Sequence, residues 1–269
     1  MKTLFFLFLL IPIIVQGQKK TDEEASWSES LNKCKAAILT IDNANITIRG
    51  NDKKSPQLNL LVKRNDKVIP LKQEEIDKNF DLKISYKHDS LFFDCTRKME
   101  ENKGVFKEGT VIEFSITLNV NTKIDIKLEK GDINIKNIKT SAIKINNADG
   151  NMKILESGGF ANLIASDGDI IFSSHNGGMV AETQNGKIQG DFENITDSIQ
   201  MENNNGFINI IVPKETKARI FAKGKLASTN TSMIQGTIAR TLISGSLNDG
   251  AMPIRLNTPK GNISFFVKE

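Results

Sequence analysis

The sequence contains few of the residues from which most enzyme and metal sites are built. It has two histidines, two cysteines and one tryptophan among 269 residues. His88 stands in Lys-His-Asp-Ser and His175 in Ser-His-Asn-Gly, contexts that predict surface turns, and neither has a close partner ligand in the sequence. The motifs of serine hydrolases, zinc proteases and phosphate-binding loops are also absent. We therefore expect no enzyme activity, no cofactor and no bound metal.

An excess of charge of one sign is missing as well. The chain carries a formal charge of +4, from 36 Lys and Arg against 32 Asp and Glu, and most segments mix the two signs. A nucleic-acid surface needs basic residues clustered on one face or helix. We therefore expect no nucleic-acid partner.

Long apolar runs are rare, and the one present lies near the N-terminus. Leu4 to Val15 follows the basic Lys2 and precedes the small residue Gly17. A run of about a dozen apolar residues fits a secretory signal peptide, whereas a membrane-spanning helix needs about twenty. We predict a signal peptide over residues 1–17, with a retained membrane anchor as the alternative. The mature protein, of charge +3 without Lys2, is expected in the periplasm, at the cell surface or outside the cell.

The two cysteines, Cys34 and Cys95, each lie in a strand-like stretch. In an oxidising compartment such a pair can form a structural disulfide. Two buried free thiols are the alternative, because the sequence does not give the distance between the two Cα atoms.

A repeated glycine phrase dominates the second half of the chain. From residue 123 onward a turn ending in glycine recurs before alternating apolar residues, and the first five of these glycines are 18 to 20 residues apart. The glycines are Gly131, Gly150, Gly168, Gly186, Gly206 and Gly261. Fixed spacing of this kind is typical of stacked repeats. Glycine suits such turns because it reaches positive φ without a Cβ clash.

Apolar residues keep a period of two on both sides of each glycine. Ile124, Ile126 and Leu128 precede Gly131 at alternate positions, and Ile133 continues the pattern after it. Period two places such residues on one face of a strand, whereas a helix needs a period of 3.6. We predict an all-β fold, a single-stranded parallel β-solenoid (β-helix) of about 18–20-residue coils with an N-terminal antiparallel cap region. An antiparallel sandwich of hairpins is the alternative, although hairpins turn about every 8 to 12 residues.

The same register appears once before the repeat region. Ala37, Leu39 and Ile41 alternate as the later strands do, with Ala44 at the glycine position. The predicted organisation is a signal peptide over 1–17, a flexible N-terminal segment over 18–33, a first coil plus an antiparallel strand-rich cap over 34–122, and the β-solenoid repeat region over 123–269 with an irregular insertion at 227–248. Terminal coils need such caps because exposed edges favour aggregation.

These phrases resemble a known protein family. Residues 129–135 (EKGDINI), 205–213 (NGFINIIVP) and 258–263 (TPKGNI) are similar to the repeated phrases of the bacterial putative-adhesin family of β-strand-repeat proteins. The resemblance extends over about residues 39–267. It implies an exported cell-envelope or surface protein with a β-solenoid fold and no catalytic residues.

A row of carboxylates provides the better enzyme candidate, which is the second alternative after a periplasmic module. Asp132, Asp149, Asp167 and Asp169 follow or precede the repeat glycines. A carbohydrate-active β-helix would hold two carboxylates about 5 to 9 Å apart on one face. Turn chemistry alone explains aspartate beside glycine, however, and the equivalent residue in the next coil is Lys187. We therefore expect a non-enzymatic adhesin or interaction scaffold that binds a protein or glycan, with a periplasmic structural or regulatory module as the alternative.

Overall fold

The computed structural model describes residues 25–98 and 103–268. The predicted signal peptide over residues 1–17 lies outside the described residues. Within them the chain is all-β, apart from a single helix of seven residues. No helix in the described ranges is long and apolar enough to cross a membrane.

The elements fall into three groups along the chain. The N-terminal group is β1 (Trp27–Ser30), β2 (Ala36–Asn43), β3 (Asn45–Gly50), β4 (Gln57–Arg64), β5 (Lys67–Val68), α1 (Gln73–Asn79), β6 (Phe80–Lys87), β7 (Ser90–Arg97) and β8 (Thr110–Leu118). The repeat group is β9 (Lys123–Lys130), β10 (Ile133–Lys136), β11 (Lys139–Asp149), β12 (Met152–Leu155), β13 (Gly158–Asp167), β14 (Ile170–Asn176), β15 (Met179–Asn185), β16 (Ile188–Asn194), β17 (Ile199–Asn203) and β18 (Ile208–Val212). The C-terminal group is β19 (Ala218–Thr229), β20 (Ile234–Ala239), β21 (Leu242–Leu247) and β22 (Met252–Val267).

Equivalent strands of successive repeats pair in parallel. The strands before the glycines form one ladder, β9-β11-β13-β15-β17, and the strands after them form a second, β10-β12-β14-β16-β18. Residues at the same distance before the glycine of each repeat lie opposite each other, so that Ile143 pairs with both Ile124 and Ala161. The hairpin alternative does not occur in this region, and the architecture is β-solenoid-like.

The inward positions form one core between the two ladders. Every predicted position before the glycines is buried, from Ile124 in the first repeat to Thr258 in the last. This confirms the period-two reading of the strands. A fully buried isoleucine contributes about 1.5–3 kcal/mol, so a repeated inward column supplies most of the stability of each coil.

The coils do not stack in chain order at either end. β2 lies between β7 and β9, and β3 lies between β8 and β10, so the coil made by β7 and β8 is below the first coil in the sequence. At the other end β22 lies between the repeat strands β17 and β18 and the outer strand β19. The first coil in the sequence, made by β2 and β3, and the last, made by β22, are therefore each covered by another coil.

The N-terminal region differs from the sequence-based expectation in two ways. The predicted cap contains a parallel coil, in which β7 and β8 pair in parallel with β2 and β3, while antiparallel pairing joins β1, β5 and β8 to β4 and joins β6 to β7. Residues 27–30, within the segment expected to be flexible, form β1 against β4 because the half-buried Trp27 packs on the core beside it.

The segment 227–248 is also more regular than expected. It contains the end of β19 and the two strands β20 and β21, which pair antiparallel with each other, and β21 pairs antiparallel with β19. Ile234, Ile243 and Leu247 of this hairpin are buried, so the hairpin closes the C-terminal end of the core. Between Gly224 and Leu226 the register of β19 on β22 shifts by two residues.

Candidate functional site

The repeat glycines form a column at one corner of the coils. A Cβ on Gly150, Gly168 or Gly186 would lie 2.1 to 2.3 Å from the carbonyl oxygen of the glycine in the preceding coil. A Cβ on Gly206 or Gly261 would lie 1.5 Å from the equivalent oxygen. Positive φ holds for Gly131, Gly150, Gly168 and Gly186. Close approach of backbones is thus the common reason for glycine, and positive φ adds to it in four coils.

Buried polar side chains bind the carbonyl oxygens of this column. Asn147 Nδ2 donates to the carbonyl oxygens of Gly131 and Gly150, at 3.0 Å each. Thr183 Oγ1 and Asn203 Nδ2 donate to the equivalent oxygens at 3.1 and 3.0 Å. The inward Asn and Thr of the repeat phrase are therefore structural ligands of the backbone.

The residues directly after the glycines, Asp132, Asn151 and Asp169, form a series of hydrogen bonds on the outside of the corner. Asp132 Oδ1 accepts a hydrogen bond from the backbone N–H of Asn151 at 2.8 Å, and Asn151 Oδ1 accepts one from Asp169 N–H at 3.0 Å. Asp169 in turn accepts the N–H of Lys187 at 3.0 Å and pairs with its ammonium at 3.4 Å. These carboxylates link successive coils.

The aspartates before the glycines have structural partners too. Asp149 lies 3.7 Å from the ammonium of Lys130, and Asp167 Oδ1 accepts a hydrogen bond from Asn185 Nδ2 at 2.6 Å. All four carboxylates of the glycosidase alternative therefore have a partner that belongs to the coil stack. No group of three or more His, Cys, Asp or Glu in the described part of the chain is placed to hold a metal ion.

The two histidines have opposite environments. His88 is exposed, with a positive φ of 48°, in the turn between β6 and β7, as predicted. The surface assignment of His175 is wrong, because this side chain is 0% exposed. Its Nε2 lies 3.1 Å from the carbonyl oxygen of Gly159 and 3.3 Å from that of Gly178. Burial lowers the pKa of His175 below its ordinary value.

The cysteines are free thiols in the structure. Cys34 lies beside Leu91, at the start of β7, whereas Cys95 lies four residues further along that strand, opposite Ile41. Four residues of a strand span about 13 Å, and a disulfide requires Cα atoms within about 7 Å. The predicted disulfide is therefore not formed. Burial raises the pKa of the Cys95 thiol to about 12, so this thiol is unreactive.

A cluster of cations around an exposed aromatic ring lies on the outer face near the C-terminal end. We call Arg219, Phe221, Lys223 and Arg255 the cationic face. Phe221 is 46% exposed and lies opposite Arg255 on the adjacent strand β22, while Arg219 and Lys223 stand two residues before and after it on β19. Adjacent strands are about 4.8 Å apart and alternate residues about 6.6 Å apart, so three cations surround one ring.

Several other lysines of the outer surface are paired within the fold. Lys130, Lys144 and Lys187 each pair with an aspartate of a neighbouring coil, at 3.4 to 3.7 Å. Within the described ranges, the side chains of Arg219, Lys223 and Arg255 have no ion-pair or hydrogen-bond partner. The cationic face therefore presents charge that the fold does not use.

Two shallow grooves meet at the cationic face. A groove of about 760 Å³ is lined by Arg219, Phe221 and Arg255 together with Gln235, Ser244 and Ser246. A second groove, of about 370 Å³, shares Phe221 and Arg255 and continues past Lys223 to Gln200, Glu202 and Asn257. The two form one path, lined by both polar and apolar atoms, across β17, β22, β19 and β21.

Comparison with known proteins identifies the family of this fold. The family model described as Toastrack DUF4097 matches residues 36–265, from β2 into β22. The chain belongs to the Toastrack DUF4097 family. This confirms the resemblance found in the repeat phrases.

Several solved bacterial proteins match the chain over most of its length. A putative cell adhesion protein from Clostridium sporogenes shares 12% identity over 90% of this chain and 98% of its own, with a TM-score of 0.41. A putative adhesin from Bacteroides fragilis shares 14% identity over 90% and 95% of the two chains, with a TM-score of 0.36. A putative lipid binding protein from Parabacteroides distasonis shares 10% identity over 90% and 96%, with a TM-score of 0.25. No curated protein matches this Toastrack sequence.

The charge of the whole sequence did not predict the cationic face, although a local charge count reveals it. Residues 214–260 of this Toastrack chain contain eight Lys and Arg and two acidic residues, a net charge of +6, while the whole chain carries +4. The average over the chain conceals this segment. Alternation along β19 then places Arg219, Phe221 and Lys223 on the outward side, because Ala218, Ile220 and Ala222 are inward.

Proposed function

We propose that this protein is an exported, non-enzymatic interaction scaffold of the bacterial cell envelope, which binds its partner through the cationic face. The observation that carries the proposal is the presence of three unpartnered cations around the exposed ring of Phe221. Exposed arginine and aromatic side chains are the residue types that dominate binding energy at interfaces. Single exposed apolar residues are common on protein surfaces, so the proposal depends on the three cations around Phe221 and not on the ring alone.

The fold suits a scaffold because it holds the face rigidly. Arg219, Phe221 and Lys223 lie on one strand whose inward neighbours are fully buried, and β22 and β21 flank that strand on either side. We further propose that the stack is a single-stranded parallel β-solenoid along its length. The parallel pairing of equivalent strands in successive coils supports this view.

Export rests on the apolar run Leu4 to Val15 and on the family resemblance. Protease shaving of intact producing cells, with a periplasmic marker as control, separates the two envelope locations. Loss of signal would indicate a surface adhesin, and protection until the outer envelope is opened would indicate a periplasmic module. Retention of the protein in the cytoplasm, with an uncleaved N-terminus, would contradict export.

The binding role is tested with fluorescently labelled mature protein and isolated cell envelopes of the producing bacterium. Arg219→Gln combined with Arg255→Gln is expected to weaken binding at least about tenfold, because each charged hydrogen bond contributes about 1.5–3 kcal/mol. Lys127→Gln is the matched control, since Lys127 is exposed on the outer face of the same sheet, in the row that leads to Lys223. Equal binding by the double variant and the control would contradict the proposal.

A further inference from the structure

We infer that the partner of the cationic face is an acidic glycan, an oligosaccharide whose rings carry carboxylate groups. The inference rests on the proposed function and names the chemistry of its ligand. Three features of the face lead to it: the spacing of the cations, the amide and hydroxyl side chains among the groove residues, and the position of the exposed ring.

The cations lie at intervals that suit a polymer with repeated charge. Arg255 is one strand away from Phe221, and Arg219 and Lys223 are each two residues from it along β19. With the strand dimensions of about 4.8 and 6.6 Å, the Cα atom of Arg255 is about 8 Å from those of Arg219 and Lys223, which are about 13 Å apart. A chain with several carboxylates offers one to each of these cations. Guanidinium groups also bind carboxylates in a planar, bidentate manner.

The groove lining matches the hydroxyl groups of a sugar. Gln235, Ser244 and Ser246 line the larger groove, and Gln200 and Asn257 line its continuation. Amide and hydroxyl side chains both donate and accept hydrogen bonds, as sugar hydroxyls do. Phe221, shared by both grooves, offers its face to the apolar side of a sugar ring at the centre of the path.

The arrangement does not suit a lipid bilayer. A membrane-binding surface needs several apolar side chains that project together from one side. Ile238, the other prominent exposed apolar residue of this hairpin, pairs with Ile243, which is buried and lies opposite the inward Ala222. Phe221 instead lies opposite Ser244 on the outward side. Phe221 and Ile238 are therefore on opposite sides of the sheet, and Leu226, the other large exposed apolar residue of β19, lies past the register shift between β19 and β22.

The carboxylate of Glu202, in the smaller groove, leads to a further prediction about ligand charge. Glu202 lies opposite Asn257, on the strand next to Arg255, and has no cationic partner among the described residues. A bound polyanion would be repelled by Glu202 at this end of the path. Removal of this charge should therefore strengthen the binding of an acidic glycan and leave that of a neutral glycan unchanged.

The test uses a hexamer of galacturonic acid and its fully methyl-esterified form, which keeps the rings but removes the charge. Isothermal titration calorimetry with the mature protein is expected to show binding of the acid and not of the ester. Arg255→Gln should weaken binding about tenfold or more, Phe221→Ser should weaken it severalfold, and Glu202→Gln should strengthen it. Lys127→Gln should bind as the unchanged protein does. Circular dichroism and thermal unfolding of each variant show whether it is folded.

Binding of both forms, of neither form, or of the acid with equal affinity by Arg255→Gln would overturn the glycan inference. A parallel sedimentation assay uses vesicles of phosphatidylglycerol, and binding there without binding of the acid glycan would assign a lipid partner instead. In either case envelope binding that depends on Arg219 and Arg255 would leave the proposed function intact. Envelope binding that does not depend on them would refute the proposed function itself.

Discussion

Substitution of Gly168 by alanine tests the packing of the glycine corner. Gly168 has a φ of 146°, and its added Cβ would lie 2.1 Å from the carbonyl oxygen of Gly150. A non-glycine residue in a left-handed conformation costs about 1–2 kcal/mol, and overpacking of a close contact costs about 1–3 kcal/mol more. We therefore expect Gly168→Ala to lower the free energy of unfolding by about 2–5 kcal/mol, a large fraction of the 5–15 kcal/mol of an ordinary domain.

Gly109 supplies a control that separates the two contributions. Its φ is 74°, but an added Cβ would meet only the side chain of Asn65, at 3.6 Å. Gly109→Ala should lose only the conformational part, about 1–2 kcal/mol. Urea unfolding followed by far-ultraviolet circular dichroism measures both variants. If Gly168→Ala loses no more stability than Gly109→Ala, the carbonyl contact between coils does not limit the residue at this corner.

Three further predictions concern the core. Ile170→Lys should prevent folding, because an unpaired charge at this fully buried position costs several kcal/mol, whereas Ile171→Lys on the outward side should fold; a soluble, cooperative Ile170→Lys protein would show the inward register to be wrong. Asn203→Ala should lower the unfolding free energy by about 1–3 kcal/mol in urea titrations, because the carbonyl of Gly186 and the N–H of Gly206 lose their partner. An unchanged value would show that these hydrogen bonds to the glycine column do not stabilise the fold. The pKa of His175 is lowered in the folded protein, so the stability that its neutral ring contributes is present above the ordinary pKa of 6.5 and is lost as the pH falls below that value. His175→Asn should reduce this loss. Identical profiles of unfolding free energy against pH for the two proteins would refute the prediction.

The sequence predicted the strands well because their pattern is set by local burial. Alternating residues must face the core in every coil, so period two identifies them without knowledge of the neighbours. The pattern fails within β14, at a corner where Ser174 has a positive φ of 51° and turns the next residue, His175, inward. Ile138 and Ser157, at the equivalent corner of the preceding coils, are buried for the same reason.

The order of the coils at the two ends could not be predicted from the same pattern. Each coil presents a similar inward face, so periodicity does not specify which coil lies next to β2 or β22. That order depends on long-range packing, such as the edge-to-face contact of Phe93 and Phe114 within the coil below the first one, with ring centroids 5.1 Å apart. The cationic face depends on the same packing, because Arg255 meets Phe221 only when β22 lies beside β19.

The most direct test of the binding role is photocrosslinking in producing cells. A photoreactive phenylalanine analogue is introduced at position 221 and, as the control, at position 127 of the same outer face. The account predicts crosslinked adducts of higher mass from position 221, their loss when Arg219 and Arg255 are replaced by glutamine, and few or no adducts from position 127. Adducts of equal yield from both positions, or from position 127 alone, would contradict the claim that the cationic face is where this protein meets its partner.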